Sequence, residues 1–297
     1  MRRAVEVYEN SKQGNGLNEN YSCKIANFLE RFCEAFGDNT IVSSISSEKI
    51  ETWINSVKKR VYADSPDETL NGTAMKVYVD TDTPVSAITK KGFRSMLFTF
   101  FKFCRMRGWI NENPVERIPA IREKLKTPKF YKVAEVANML SKSEPLSDLR
   151  AYLAIAAFAG LRRREVERLT WDKIKLPDRE IVMDNEVTKT GARRIVKIPE
   201  NLAMWLAPYS DKLNTKEHIV KQNFVKRLNL FRIANGIKWI NNGLRHSAAT
   251  YYLALTRNAA ITAEQMGHAV DVLKQHYNGL AREKKAKMYF DIKPSDL

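Results

Sequence analysis

The sequence predicts a mainly α chain in two parts, a helical N-terminal domain followed by a mixed α+β domain with a small antiparallel sheet. Three observations predict it. Apolar residues recur at helical spacing through most of the first 117 positions, short β-type runs occur only between residues 173 and 198, and a stretch rich in Pro, Lys and Arg separates the two regimes. With 297 residues and 44% hydrophobic content, both parts have apolar material enough for a core. The expected divisions are a polar lead over 1–20, a helical domain over 21–117, a basic linker over 118–129 and a second domain over 130–297.

The lead contains Gly14-Asn15-Gly16 and no clear apolar period. Residues 21–36 then place Ile25, Phe28, Leu29, Phe32 and Phe36 on one helical face, and Gly37-Asp38-Asn39 stops that helix. Ser46 or Ser47 caps a second helix whose face is Ile50, Trp53, Ile54 and Val57. Residues 61–85 carry turn chemistry at Asp64–Asp67 and Asn71-Gly72, and Met75–Val79 reads as either a short strand or a helix. From about Val85 to Ile110 runs the clearest helix, ended by Asn111–Pro114. Its apolar positions Met96, Leu97, Phe100, Phe101, Cys104 and Trp109 alternate with Lys90, Lys91, Arg94, Lys102, Arg105 and Arg107. Such a polar side is either a nucleic-acid face, with Lys90, Arg94, Lys102 and Arg105 as its contacts, or a solvated surface. The linker over 118–129 suits a hinge and equally an ordinary tether.

In the second domain, Val133–Leu140 and Leu149–Phe158 read as helices, the latter ended by Gly160 in the left-handed region. Leu161, Val166 and Leu169 share a face, and Glu165 follows Arg162 by one turn, where it either orients the guanidinium or makes a surface pair. Strand-like pieces follow at Lys173–Leu176, Glu180–Met183 and Arg194–Ile198. The last two flank Thr188-Lys189-Thr190-Gly191, a hairpin turn with Lys189 at its tip. Helices are expected over 200–207, 216–234 (basic, with Lys216, Lys221, Lys226, Arg227 and Arg232) and 244–256. A final basic helix spans Ala281–Phe290.

The net charge of +16 points to a polyanionic partner, because neutralising phosphates releases counterions. The excess is uneven: residues 1–120 hold 17 Lys+Arg against 15 Asp+Glu, and residues 121–297 hold 33 against 19. Cys23, Cys33 and Cys104 lie in apolar helical patterns without CxxC spacing and read as reduced core residues of a cytoplasmic protein. No apolar run approaches a membrane span, and Met1-Arg2-Arg3 opens no signal-peptide core.

Four motifs occur in order: Ala159-Gly160-Leu161-Arg162 with Glu165, Thr188–Gly191 with Lys189, Leu244-Arg245-His246 with Ala249-Thr250, and Met266-Gly267-His268 with Tyr277 nine residues on. This set resembles the tyrosine recombinase (phage integrase) family over about residues 130–290. The resemblance implies a catalytic domain there and a SAM-like core-binding domain before it. It implies a site-specific DNA recombinase or integrase that cleaves and rejoins DNA through a 3′-phosphotyrosyl intermediate, with neither metal nor ATP. The alternatives are a weak or inactive DNA-binding relative and a topoisomerase-like strand relaxer. By resemblance, Arg162 and Arg245 bind the scissile phosphate, Lys189 is the general acid, His268 bonds the phosphate and Tyr277 is the nucleophile. The chemistry fits: attack on a phosphodiester builds charge on non-bridging oxygens, and guanidinium groups are planar, permanently charged donors for it.

Helical geometry adds a condition. Nine residues on one helix turn through about 900°, so His268 and Tyr277 converge only if the chain breaks between them. Gly267 favours a break, and Asp271 is the expected cap of a new helix. One position departs from the family: Asn242 stands where a histidine is usual, and an amide accepts no proton at neutral pH. His246 is read as a supporting, structural residue, His276 as a possible substitute beside Tyr277, and His218 as a surface residue. Double-stranded DNA is the expected partner, with a tetramer formed on it by exchange of the C-terminal helix, acting at the nucleoid. With only the lead over 1–20 before the first expected helix, no separate arm-site-binding domain is expected.

Overall fold

The computed structural model describes residues 1–13, 19–70, 73–122, 127–185 and 193–294. The chain divides into two compact units, Met1–Lys124 and Leu125–Leu297.

The first unit is built on helices α1 (Arg2–Gln13), α2 (Glu19–Phe36), α3 (Ser47–Ser56) and α4 (Ala87–Met106). The first of these corrects the reading of 1–20 as a lead. Met1, Val5 and Tyr8 recur at helical spacing and are buried, with the Tyr8 ring edge-on to Phe100 at 5.6 Å. Ser46 caps α3 by accepting from Lys49 N at 3.4 Å, and Gly37 ends α2 at φ +86°. The face foreseen for α4 forms the middle of the core: Leu97, Phe100, Phe101 and Cys104 are fully buried. Each of those phenylalanines contributes about 2–3 kcal/mol relative to an exposed ring. Trp109 falls past the helix end and stays exposed, as does Cys23, whose sequence setting suggested core.

Between α3 and α4 the open choice at Met75–Val79 resolves as strand. β1 (Lys58–Leu70) and β2 (Thr73–Pro84) pair antiparallel, with Tyr62 opposite Tyr78. The expected linker is in part structural, because Ile118 is buried in this unit's core. Residues 123–126 of that segment lie outside the described residues.

In the second unit α5 (Val133–Lys142) leads to α6 (Asp148–Ala154), which widens into a π turn over Ile155–Ala159 and stops at Gly160, φ +69°. A short α7 (Arg163–Arg168) precedes a three-stranded antiparallel sheet in the order β3 (Ile174–Lys175), β4 (Glu180–Met183), β5 (Arg194–Lys197). Helices α8 (Glu200–Leu206), α9 (Phe224–Ala234), α10 (Gly243–Thr256), α11 (Ala259–Met266), α12 (Val270–His276) and α13 (Glu283–Phe290) complete it. The helix expected over 216–234 is shorter by its first eight residues. The chain there is extended: Trp171 N donates to Glu217 O at 3.0 Å, and Ile219 N donates to Leu169 O at 2.9 Å. His218 is exposed, as expected. No helix among the described residues is long and apolar enough to cross a membrane.

Helix α13 is the segment expected to be exchanged between protomers. It packs on its own domain, where Tyr289 is fully buried, stacks on Tyr251 at 4.2 Å and donates to Ala157 O at 2.8 Å. The following turn is also tied in, with Trp205 Nε1 donating to Ile292 O at 3.0 Å. Met288 on this helix stays exposed, as does Leu255 on α10.

Candidate active site

Two arginines meet at two helix ends. An α-helix leaves its last carbonyls without partners and carries partial negative charge there, so a cation is the natural complement. The π turn after α6 ends at Gly160, and Arg245 on α10 donates to Gly160 O at 2.6 Å. Helix α11 ends at Gly267, φ +59°. Arg162 donates to Gly267 O at 2.9 Å, while Arg245 donates its other nitrogen to Met266 O. The two left-handed glycines are held by space as well as by φ. A Cβ on Gly160 would lie 2.3 Å from the Met266 sulfur, and one on Gly267 would lie 3.0 Å from Arg194 Cζ.

Glu165 joins the arginines into one cluster. Its side chain is 1% exposed and accepts from Arg162 N at 2.9 Å, from Arg162 Nη1 at 2.8 Å and from Arg194 Nη2 at 2.8 Å. Burial by itself raises this carboxyl, but the bonds and charge of Arg194 and Arg162 hold it below the ordinary value. Burial, then repulsion by Arg162, pushes Arg245 down to about 9, which leaves it protonated at neutral pH.

The break foreseen at Gly267 exists, and it brings His268 and Tyr277 together with ring centroids 5.9 Å apart and nearly parallel. The cap is not Asp271. Helix α12 starts two residues earlier, with Ala269 at the cap, and places Asp271 in its first turn and Tyr277 at its C-terminal end. Tyr277 is 4% exposed. Its burial raises the phenol above its ordinary value, although Arg245 and Arg162 both act to lower it. Burial, then Arg245 and Arg162, pushes His268 down to about 3, so its imidazole is neutral, and its buried Nδ1 has no hydrogen-bond partner among the described residues.

The remaining sequence candidates fall variously. Lys189 and the turn Thr188–Gly191 lie outside the described residues. Asn242 is exposed at φ +55° at the start of α10 and makes no side-chain cap bond. Residues 245 and 246 point about 100° apart on α10. That turn aims His246 at Tyr277, with Nδ1 2.6 Å from the phenolic oxygen, so the supposedly structural histidine touches the candidate nucleophile. His276 makes no such bond. In the first unit Arg94 donates to the carbonyls of Ile118 (2.8 Å) and Val115 (3.4 Å). Lys90 donates to Asn55 O at 3.1 Å, Arg105 pairs with Glu116 at 3.2 Å, and Lys102 is exposed.

Arg194 was missed as a site residue. The signal was present, because strand alternation puts it on the same face as Val196 and Ile198, and an inward cation needs a carboxylate. Nothing in the sequence carried the contact from His246 to Tyr277, since helical spacing does not reach across 31 residues. Among the described residues no group of three His, Cys, Asp or Glu side chains is placed to hold a metal ion.

Known proteins resemble this chain in sequence and in fold. A tyrosine recombinase from Thermosipho africanus (strain TCF52B) is 27% identical over 241 residues, 76% of this chain and 77% of that protein. A lambda integrase (75–356) dimer bound to a COC′ core site matches with a TM-score of 0.65 at 16% identity, covering 99% of this chain and 96% of that one. A lambda integrase tetramer bound to a Holliday junction matches with a TM-score of 0.65 at 15% identity, covering 94% and 79%. At such identities these two likenesses are of fold alone. The phage integrase family model matches residues 129–284, which is more than half of the sequence and spans every motif from Arg162 to Tyr277. The chain therefore belongs to the phage integrase family, the tyrosine recombinases.

Proposed function

We infer that this chain is a site-specific DNA recombinase that cleaves and rejoins DNA through a 3′-phosphotyrosyl link on Tyr277. The observation that carries the reading is the convergence of Arg162, Arg245 and His268 on Tyr277 from α7, α10 and the α11–α12 break. Each guanidinium has five N–H donors, and the helix-end carbonyls and Glu165 occupy only part of each set. The remaining donors of Arg162 and Arg245 bind the non-bridging oxygens of a scissile phosphate, where the charge of the transition state collects. His268, neutral, donates one more hydrogen bond to that phosphate. The Tyr277 oxygen attacks phosphorus, the 5′ oxygen leaves, and Lys189 supplies its proton. The phosphotyrosyl bond keeps the energy of the broken phosphodiester, so rejoining needs no nucleotide.

The phenol is held neutral and covered in the free chain. A bound phosphate bridging Arg162 and Arg245 replaces solvent and sets the nucleophile in line. The net charge of +16 supports duplex DNA as the partner. The lambda integrase neighbours, one a dimer on a core site and one a tetramer on a Holliday junction, support assembly as a homo-oligomer on DNA at the nucleoid.

The test starts from duplexes selected out of a random pool by binding to the Tyr277→Phe chain. A nick is placed near the cleavage point, and a covalent protein–DNA adduct is sought on a denaturing gel. Wild type forms it and Tyr277→Phe does not. Binding without an adduct would replace the recombinase by a DNA-holding relative, the reading that Asn242 favours. An adduct with relaxation but no strand exchange would make it a relaxer.

A further inference from the structure

We propose that His246 is the group that takes the phenolic proton from Tyr277 as it attacks the phosphodiester, the duty that Asn242 leaves open. The inference rests on the recombinase reading above and concerns the same site.

Among the described residues the phenol makes one hydrogen bond, and it is to His246 Nδ1 at 2.6 Å. The bond joins two elements that meet only in the folded domain, α10 and the end of α12. Tyr277 is 4% exposed, so bulk water does not compete for the proton. The other nearby groups serve less well. Asn242 is exposed, and its amide is no base. The His268 ring lies flat beside the Tyr277 ring, centroids 5.9 Å apart, with no hydrogen bond between them. His276 is the preceding residue on the same helix and points about 100° away.

Four titratable or charged groups surround this imidazole: Arg245 beside it on α10, His276 and Tyr277 across from it on α12, and His268 at the helix break. Burial, then Arg245, then His276 keep it below its ordinary value, so at neutral pH it is uncharged and Nδ1 is free to accept. The balance closes without a co-reactant. The Tyr277 O–H bond breaks and its proton goes to Nδ1, giving an imidazolium. The phenolic oxygen bonds to phosphorus, the bond from phosphorus to the 5′ oxygen breaks, and that oxygen takes the proton assigned above to Lys189. Rejoining runs the same transfer backward, the imidazolium returning the proton to the departing phenol.

The experiment uses the full chain and the nicked, pool-selected duplex. His246→Asn keeps a hydrogen-bonding group near the phenol but removes the base. We expect adduct formation to slow by about 10²-fold or more with duplex affinity and melting midpoint close to wild type. The wild-type rate falls at acid pH as His246 protonates, and the variant loses that dependence. His246→Gly regains rate when free imidazole is added. A bridging sulfur in place of the leaving 5′ oxygen removes the need for an acid, so it restores Lys189→Ala and not His246→Asn. The proposal is overturned if His246→Asn cleaves within threefold of wild type with an unchanged pH profile, or if the sulfur substrate restores it. Failure of wild type itself to form an adduct defeats the recombinase reading instead, and the two failures are thereby distinct.

Discussion

Glu165→Gln removes one charge and almost no volume from the middle of the arginine cluster. In the wild type that carboxylate faces Arg194 and Arg162 at 2.8 Å each and Arg245 at 4.0 Å, and it is 1% exposed. Arg194 is 12% exposed and pairs with no other carboxylate among the described residues, so the amide leaves it buried and uncompensated. Breaking a buried pair from one side costs about 3–5 kcal/mol. For a unit the size of Leu125–Leu297, a loss of about 3 kcal/mol lowers the melting midpoint by roughly 6–12 °C. Calorimetry at pH 7 reads this directly. The folded carboxyl is held below its unfolded value of about 4.3, so its contribution is complete above that value. It is lost as pH falls through the folded one. Wild type and variant therefore draw together in acid. A Glu165→Gln midpoint within about 1 °C of wild type at pH 7 would refute the idea that this carboxylate holds the cluster. So would a gap that widens in acid.

Four further outcomes follow from the geometry. Gly267→Ala forces a side chain into the left-handed region and against the Arg194 guanidinium, and its melting midpoint should report a loss of about 1–2 kcal/mol. Arg94→Met should lower the stability of the Met1–Lys124 unit in denaturant titration and leave the salt slope of DNA binding unchanged, because its donors go to backbone carbonyls and not to phosphates. Tyr289→Phe leaves Ala157 O without its partner and should cost about 1–3 kcal/mol by thermal melting, which a loosely held α13 would not show. Asn242→His should leave the rate of adduct formation unchanged or raise it. A large loss would give Asn242 a duty of its own.

Much of this was legible before any coordinates. Periodicity located Leu97, Phe100, Phe101 and Cys104 of the α4 core face, though not the exposure of Trp109, and a nine-residue step that cannot converge on one helix forced a break that Gly267 supplies. What stayed hidden has a common cause. Helix α1 escaped notice because its apolar set (Met1, Val5, Tyr8) is sparse and sits among charged residues. The stretch before α9 passed for helix because its pairing with Leu169–Asp172 lies far away in sequence. The bonds of Arg94 stayed hidden because their acceptors are backbone carbonyls, which no side-chain pattern announces. The contact of His246 with Tyr277 stayed hidden for the same reason as the cap of α12: the fold decides which neighbour a side chain meets, and spacing along one element does not.

The carbonyls that hold Arg162 and Arg245 belong to residues 160, 266 and 267, and no side-chain replacement can delete a carbonyl. The aim of the two positive charges is thus stored in the path of the main chain, at two places where it must turn left-handed. Drift in the surrounding sequence can repaint the walls of the site freely, so long as both turns keep glycine. Redesign meets the converse limit. Moving these charges to a new substrate geometry requires re-routing two helix ends, which is a change of architecture and not of residues.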